Sequence, residues 1–171
     1  MNAQQLQQLA DELSARLKEF QKIKTEIAEA KSRLSTGEPT TFDLYAVGGI
    51  LHDVYQGVEN ICSYIAKEID RHVPVGATSH SDLLEQMTRR IPQTRPAVIQ
   101  PQTAQLLHEY RKFRHVARHT YGFKFDWSLI KPLLIDVDEA IRAFVADIEK
   151  FVTWLHMMAS DNQSKSHAPD Q

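Results

Sequence analysis

Leu6, Leu9, Leu13, Leu17, Phe20, Ile23, Ile27 and Leu34 recur three and four residues apart, the period of an amphipathic helix. The pattern predicts one helix over about residues 3–35. At 1.5 Å per residue it would be on the order of 45–50 Å long, enough for part of it to protrude from the domain body. Gly37-Glu38-Pro39 ends it, and Thr40 with Asp43 reads as the next N-terminus. Leu44, Val47, Leu51, Val54, Val58, Ile61, Ile65 and Ile69 form the stripe of a second helix. Gly48-Gly49 falls inside it, where missing side chains would let another helix approach.

Beyond the Pro74-Val75-Gly76 loop, Asp82 to Arg89 predicts a short helix. The segment Ile91 to Pro101 holds three prolines and reads as an irregular connector. Pro101 suits the first turn of a helix that runs to about Tyr121 and is capped by Gly122. Asp126 or Ser128 starts the last helix, with Pro132 in its first turn or kinking it. Leu134, Val137, Ile141, Phe144, Ile148, Val152 and Leu155 make its apolar face. No period-two strand segment and no internal repeat occurs. The expected architecture is an all-α bundle of four main helices plus a short one, forming a single domain over 1–159. Its long N-terminal helix fills 1–36, and the polar residues 160–171 are expected to be a disordered tail.

Composition changes this picture little. The chain has 171 residues, 42% hydrophobic and 25% charged, ordinary for a soluble domain able to bury its own core. No apolar run reaches the roughly 18 residues a membrane span needs, and the first residues lack a signal peptide's basic flank and apolar stretch. The single cysteine, Cys62, excludes a disulfide scaffold and suits a reducing compartment. A cytoplasmic protein without a membrane partner is expected. Net charge is −2, so any anionic partner must be met by a local patch.

Such a patch is found on one helix. In Leu107-His108-Glu109-Tyr110-Arg111-Lys112-Phe113-Arg114-His115-Val116-Ala117-Arg118-His119-Thr120-Tyr121, a turn of about 100° per residue puts Tyr110, Phe113, Val116 and Ala117 on a core side. Arg111, Arg114, Arg118, His108, His115, His119 and Tyr121 spread over the other. The bland reading is a solvated basic stripe, with Arg118 near the helix C-terminus complementing the macrodipole by about 0.3–1 kcal/mol. That accounts for Arg118 but not for three accompanying histidines. Metal-free phosphodiester cleavage needs a base, an acid and a cation beside the phosphate. Histidine serves in either proton-transfer role near neutrality, and arginine offers a charged planar fork. Arg114 and His119 supply two of these three parts. A symmetric dimer would bring a second histidine.

The run Arg114-His115-Val116-Ala117-Arg118-His119-Thr120-Tyr121 has the form R-x-x-x-x-H-x-Y. It resembles the signature of HepT-like toxins in the HEPN superfamily of helical ribonucleases. Gly57-Val58-Glu59-Asn60-Ile61, Leu83-Leu84-Glu85-Gln86-Met87, Phe113-Arg114-His115 and Asp126-Trp127 follow in the family's order, over about residues 45–155. The resemblance implies a HEPN-type bundle and a metal-independent endoribonuclease, the toxin of a toxin–antitoxin pair. It implies no cofactor, an RNA substrate, and active sites at a homodimer interface. Arg114 would orient the phosphate, His119 would be the general acid/base, and His115, Arg118 and Arg111 would assist or hold RNA. It further implies an MntA-type nucleotidyltransferase antitoxin that adds AMP to Tyr121, an anionic block on the basic cleft. The long Gln-rich first helix and the segment His72 to Ser81 depart from the pattern, the latter as a loop that could border the cleft.

Other readings stand beside this one. His115 and His119 have the i, i+4 spacing of a metal pair, yet no H-E-x-x-H supports it, and no metal is expected. Tyr121 could be a buried core tyrosine. His52, His72, His80, His156 and His167 lack convergent partners and read as incidental. Glu59 and Asn60 could hold the motif arginine or face water, the second being favoured. Trp127 and Trp154 read as core or interface anchors. The rival classes are a non-catalytic helical module that binds RNA, nucleotide or protein, and the antitoxin role in the same pair.

Overall fold

A computed structural model describes residues 1–35, 37–119 and 126–166, and of 115–119 and 165–166 it describes the backbone only. The elements are α1 (Ala3–Phe20), α2 (Ile23–Leu34), α3 (Thr41–Ile65), α4 (Ser79–Thr88), α5 (Pro101–His119) and α6 (Trp127–Ser166). There is no β-strand among the described residues, only an isolated bridge between Ile91 and Arg95. The all-α expectation holds, and the helical stripes become one core running from Leu6 to Ala159.

The helix expected over 3–35 is instead two. Lys22 N–H donates to Glu19 O at 3.1 Å and Thr25 N–H to Lys22 O at 3.1 Å, three-residue bonds that tighten the chain at the junction. The cause is a divided allegiance: α1 packs along α6, whereas α2 packs on α3. Phe20 marks the corner. Its ring stands edge-on to Phe144 at 5.7 Å and lies against Gly57, where an added β-carbon would fall 2.8 Å from Phe20 Cε2. Close approach is thus served by Gly57, whereas a β-carbon on Gly49 would meet open space. Gly48 is buried.

Helix starts follow the polar signals in the sequence. Asn2 and Gln5 form a reciprocal capping box on α1, and Thr40 and Asp43 form another on α3. Arg33 Nε donates to Asp43 Oδ1 at 2.6 Å, tying α2 to the start of α3. Pro101 opens α5, and Asp126 Oδ1 accepts from Ser128 N–H at 2.8 Å at the start of α6. Pro132 sits within α6. That helix carries on through Ser166, past Ser160 where the tail was expected to begin. Asn162 Nδ2 donates to Met1 O at 3.3 Å, linking this extension to α1.

The C-terminal end of α3 opens into a π-helical turn, Ala66–Asp70, closed by Arg71 in the left-handed region at φ 56°. The turn delivers Asp70 to Arg95, which is 2% exposed. Both Arg95 Nε and Nη2 donate to the Asp70 carboxylate at 2.6 Å. Its remaining hydrogens go to Arg89 O, Pro96 O and Gln86 O, so all five N–H donors of the fork are used. This pair holds the irregular connector expected over 91–101 against α4. Asp147 of α6 does similar work at the other end of the connector, accepting from Gln100 N–H at 2.8 Å and Thr103 Oγ1 at 2.6 Å. A carboxylate there also complements the N-terminal dipole of α5.

Candidate active site

The sequence places Arg114 on the cation face, away from the core. In the structure it is 7% exposed. Leu107, Tyr110 and Arg114 are spaced three and four apart, so they share one stripe of α5. Leu107 and Tyr110 are both buried, the Tyr110 hydroxyl donating to Leu133 O at 3.0 Å. A cation on that stripe must find partners inside the bundle.

Those partners come from two other helices. From α3, Glu59 Oε2 lies 3.1 Å from Arg114 Nη2, and Gln56 Oε1 accepts from the same nitrogen at 3.0 Å. The Tyr55 ring lies beneath the guanidinium, 5.9 Å from its carbon. From α4, His80 Nε2 is 3.3 Å from Arg114 Nη1, and His80 Nδ1 meets Glu59 Oε1. Two expectations are thereby corrected: Glu59, favoured to face water, is 9% exposed and holds the motif arginine, and His80, read as incidental, belongs to the same cluster. No local pattern could have shown this, because His80 lies 21 residues from Glu59 and 34 from Arg114.

Donor bookkeeping sets the protonation pattern. Arginine only donates, so His80 Nε2 accepts and carries the lone pair, and Nδ1 then carries the proton toward Glu59. Both Nη2 hydrogens of Arg114 are directed at protein oxygens. Nη1 keeps one hydrogen beyond His80, and the buried Nε has no partner among the described residues. Arg95 is saturated; Arg114, among the described residues, is not.

The Tyr55 hydroxyl donates to His80 O at 3.3 Å, fixing the start of α4. Burial and, next, the Glu59 charge raise its pKa. Beneath them Cys62 is enclosed, and burial pushes its thiol up to about 12, so it is inert at neutral pH. One turn before Arg114, Arg111 Nε donates to His108 Nδ1 at 3.2 Å. Burial, then the Arg111 charge, lowers the His108 pKa, in keeping with a neutral ring that accepts from arginine.

The other expected site residues are placed less fully. His115, Arg118 and His119 belong to α5, but their side chains, with those of Val116 and Ala117, lie outside the described residues. Thr120, Tyr121 and Gly122 also lie outside them, and with them the AMP-acceptor and helix-cap readings. No group of three or more His, Cys, Asp and Glu that could hold a metal ion occurs among the described residues. None of the helices searched there is long and apolar enough to cross a membrane. Trp127 and Trp154 are half-buried against the core, Trp154 stacking on Phe151 at 5.4 Å.

Residues 46–155 match the profile of a family described as HepT-like protein. No curated protein and no solved structure matches the chain. The matched span begins in α3 and ends in α6, enclosing Gln56, Glu59, His80 and Arg114 and leaving out α1 and α2.

Proposed function

This chain belongs to the HepT-like family, and from that premise we propose that it is a metal-independent endoribonuclease, the toxin of a toxin–antitoxin pair. In this reading Arg114 binds the scissile phosphate and His119, five residues along α5, transfers protons. His115, Arg118 and Arg111 contact or neutralise the RNA backbone. The base removes the 2′-hydroxyl proton, O2′ attacks phosphorus, and the P–O5′ bond breaks as the 5′-oxygen is protonated. The products are a 2′,3′-cyclic phosphate and a 5′-hydroxyl. A homodimer that apposes two α5 helices would pool their cations, and AMP placed on Tyr121 by an MntA-type nucleotidyltransferase would shut the cleft by charge and bulk.

The observation that carries this reading is the incomplete saturation of Arg114. A buried arginine held on three sides, with an Nη1 hydrogen unclaimed among the described residues, is preorganised for one more anionic acceptor. The test is incubation of the purified protein with cellular RNA in EDTA, beside His119→Ala. Wild-type cleavage with cyclic-phosphate ends, lost in the variant, is expected. Equal silence of both, with RNA still bound, would instead favour a non-catalytic RNA-binding module. The Glu59–Arg114 ion pair is the one feature that favours this second reading, since it gives Arg114 a purely structural use.

A further inference from the structure

We propose that His80, the second residue of α4, is the general base of this site, oriented by Glu59 and supplied within the same chain as Arg114. The proposal rests on the ribonuclease reading above and deepens it. Metal-free cleavage calls for two proton-transfer groups beside one cation, and the motif helix leaves one of these roles open. The structure fills it from another element. His80 Nε2 lies 3.3 Å from Arg114 Nη1, and its other ring nitrogen is engaged by the Glu59 carboxylate. A carboxylate on Nδ1 fixes the ring's tautomer and direction and stabilises the imidazolium formed when Nε2 takes a proton, the logic of a carboxylate–histidine pair.

Access agrees with the role. Glu59 and Arg114 side chains are 11% and 9% exposed, whereas the His80 side chain is 39% exposed. Of these three, His80 is the most open to solvent. Phosphate oxygens arriving at Arg114 take both Nη1 hydrogens, the spare one and the one now shared with His80. The freed Nε2 lone pair then faces the group beside that phosphate, which in RNA is the 2′-hydroxyl. His80 accepts its proton as the O2′–P bond forms. Proton donation to the leaving 5′-oxygen falls to His119, about 7.5 Å along α5 from Arg114 by backbone register. Glu59 touches no reacting atom and is a positioning residue.

The test uses His80→Asn and His119→Ala in the full chain, with His80→Ala alongside. Asparagine keeps an N–H donor for Glu59 and removes the Nε2 lone pair, so a merely structural His80 would tolerate it. The expected result is a folded His80→Asn protein whose RNA cleavage falls by about 10²- to 10⁴-fold, with partial rescue of His80→Ala by added imidazole. A substrate with a 5′-bridging phosphorothiolate needs no proton on its leaving group. It should restore His119→Ala and leave His80→Asn slow. Wild-type rates in His80→Asn, or its restoration by the phosphorothiolate, overturn the assignment while the ribonuclease reading stands. A wild-type protein that cleaves no RNA overturns both.

Discussion

The Glu59 carboxylate on α3 lies 3.1 Å from the Arg114 guanidinium on α5, and both side chains are nearly buried. Removing one partner leaves the other as an uncompensated charge inside the bundle, which costs about 3–5 kcal/mol. Glu59→Ala and Arg114→Ala should each lower stability in urea by about that amount. The double variant should lose much less than the sum, because no orphan remains. Strict additivity in that cycle would show the two side chains to be independent.

Gly49 and Gly57 should respond to alanine with opposite signs. At Gly49 a β-carbon meets open space, so Gly49→Ala should stabilise α3 by about 0.5–1 kcal/mol. At Gly57 it collides with the Phe20 ring, which cannot retreat freely because Phe144 backs it. Gly57→Ala should cost about 1–3 kcal/mol, with part of the loss recovered when Phe20 is shortened to leucine. Thermal melts of the three variants decide it; equal shifts for the two glycines would contradict the packing.

Asp43 should make the fold acid-sensitive. Its pKa is lowered from 3.8, first by the Thr40 hydroxyl, then by Thr40 N–H and by Arg33. The unfolded chain therefore binds a proton at Asp43 more readily than the native one. Its contribution is fully present above about the unfolded value and is lost as pH falls through the lower folded value. The melting temperatures of wild type and Asp43→Asn should accordingly differ at neutral pH and converge in acid, once the pH falls below the lowered folded value. A gap that persists unchanged in acid would exclude this titration.

Arg95→Lys should fail as a conservative change. One ammonium offers three donors to sites that now engage five, so acceptors at Asp70, Gln86, Arg89 or Pro96 lose partners. A loss of about 1–3 kcal/mol is expected, read from denaturant midpoints at unchanged slope. On the proposed ribonuclease reading, cleavage by the surviving folded fraction should be unaltered, since the donors of Arg95 go to Asp70, Gln86, Arg89 and Pro96 and to no partner of Arg114.

Periodicity made the helices legible, and polar punctuation marked their starts: Thr40 and Asp43 cap α3, and Pro101 opens α5. The break between α1 and α2 was hidden because Gln21 and Lys22 are good helix formers. Only the rival pulls of α6 and α3 bend the chain there. Arg114 was found by its motif, yet its burial was missed because it was grouped with the other cations instead of with Leu107 and Tyr110 on its stripe. His80 was invisible for a different reason. A lone histidine after a proline-containing loop carries no spacing signal, and its partners are assembled only by tertiary packing of α3, α4 and α5.

The pairing of α1 with α6 bears on how the chain comes into being. Leu6, Leu9, Leu13 and Leu17 are buried on a face that α6 covers, and α6 begins at Trp127. At about 5–20 residues per second of synthesis, that greasy face waits on the order of ten seconds for its cover. The nascent chain is therefore sticky from the emergence of α1 until α6 follows it. Chaperone occupancy should rise as α1 emerges and fall only as the last helix clears the exit tunnel.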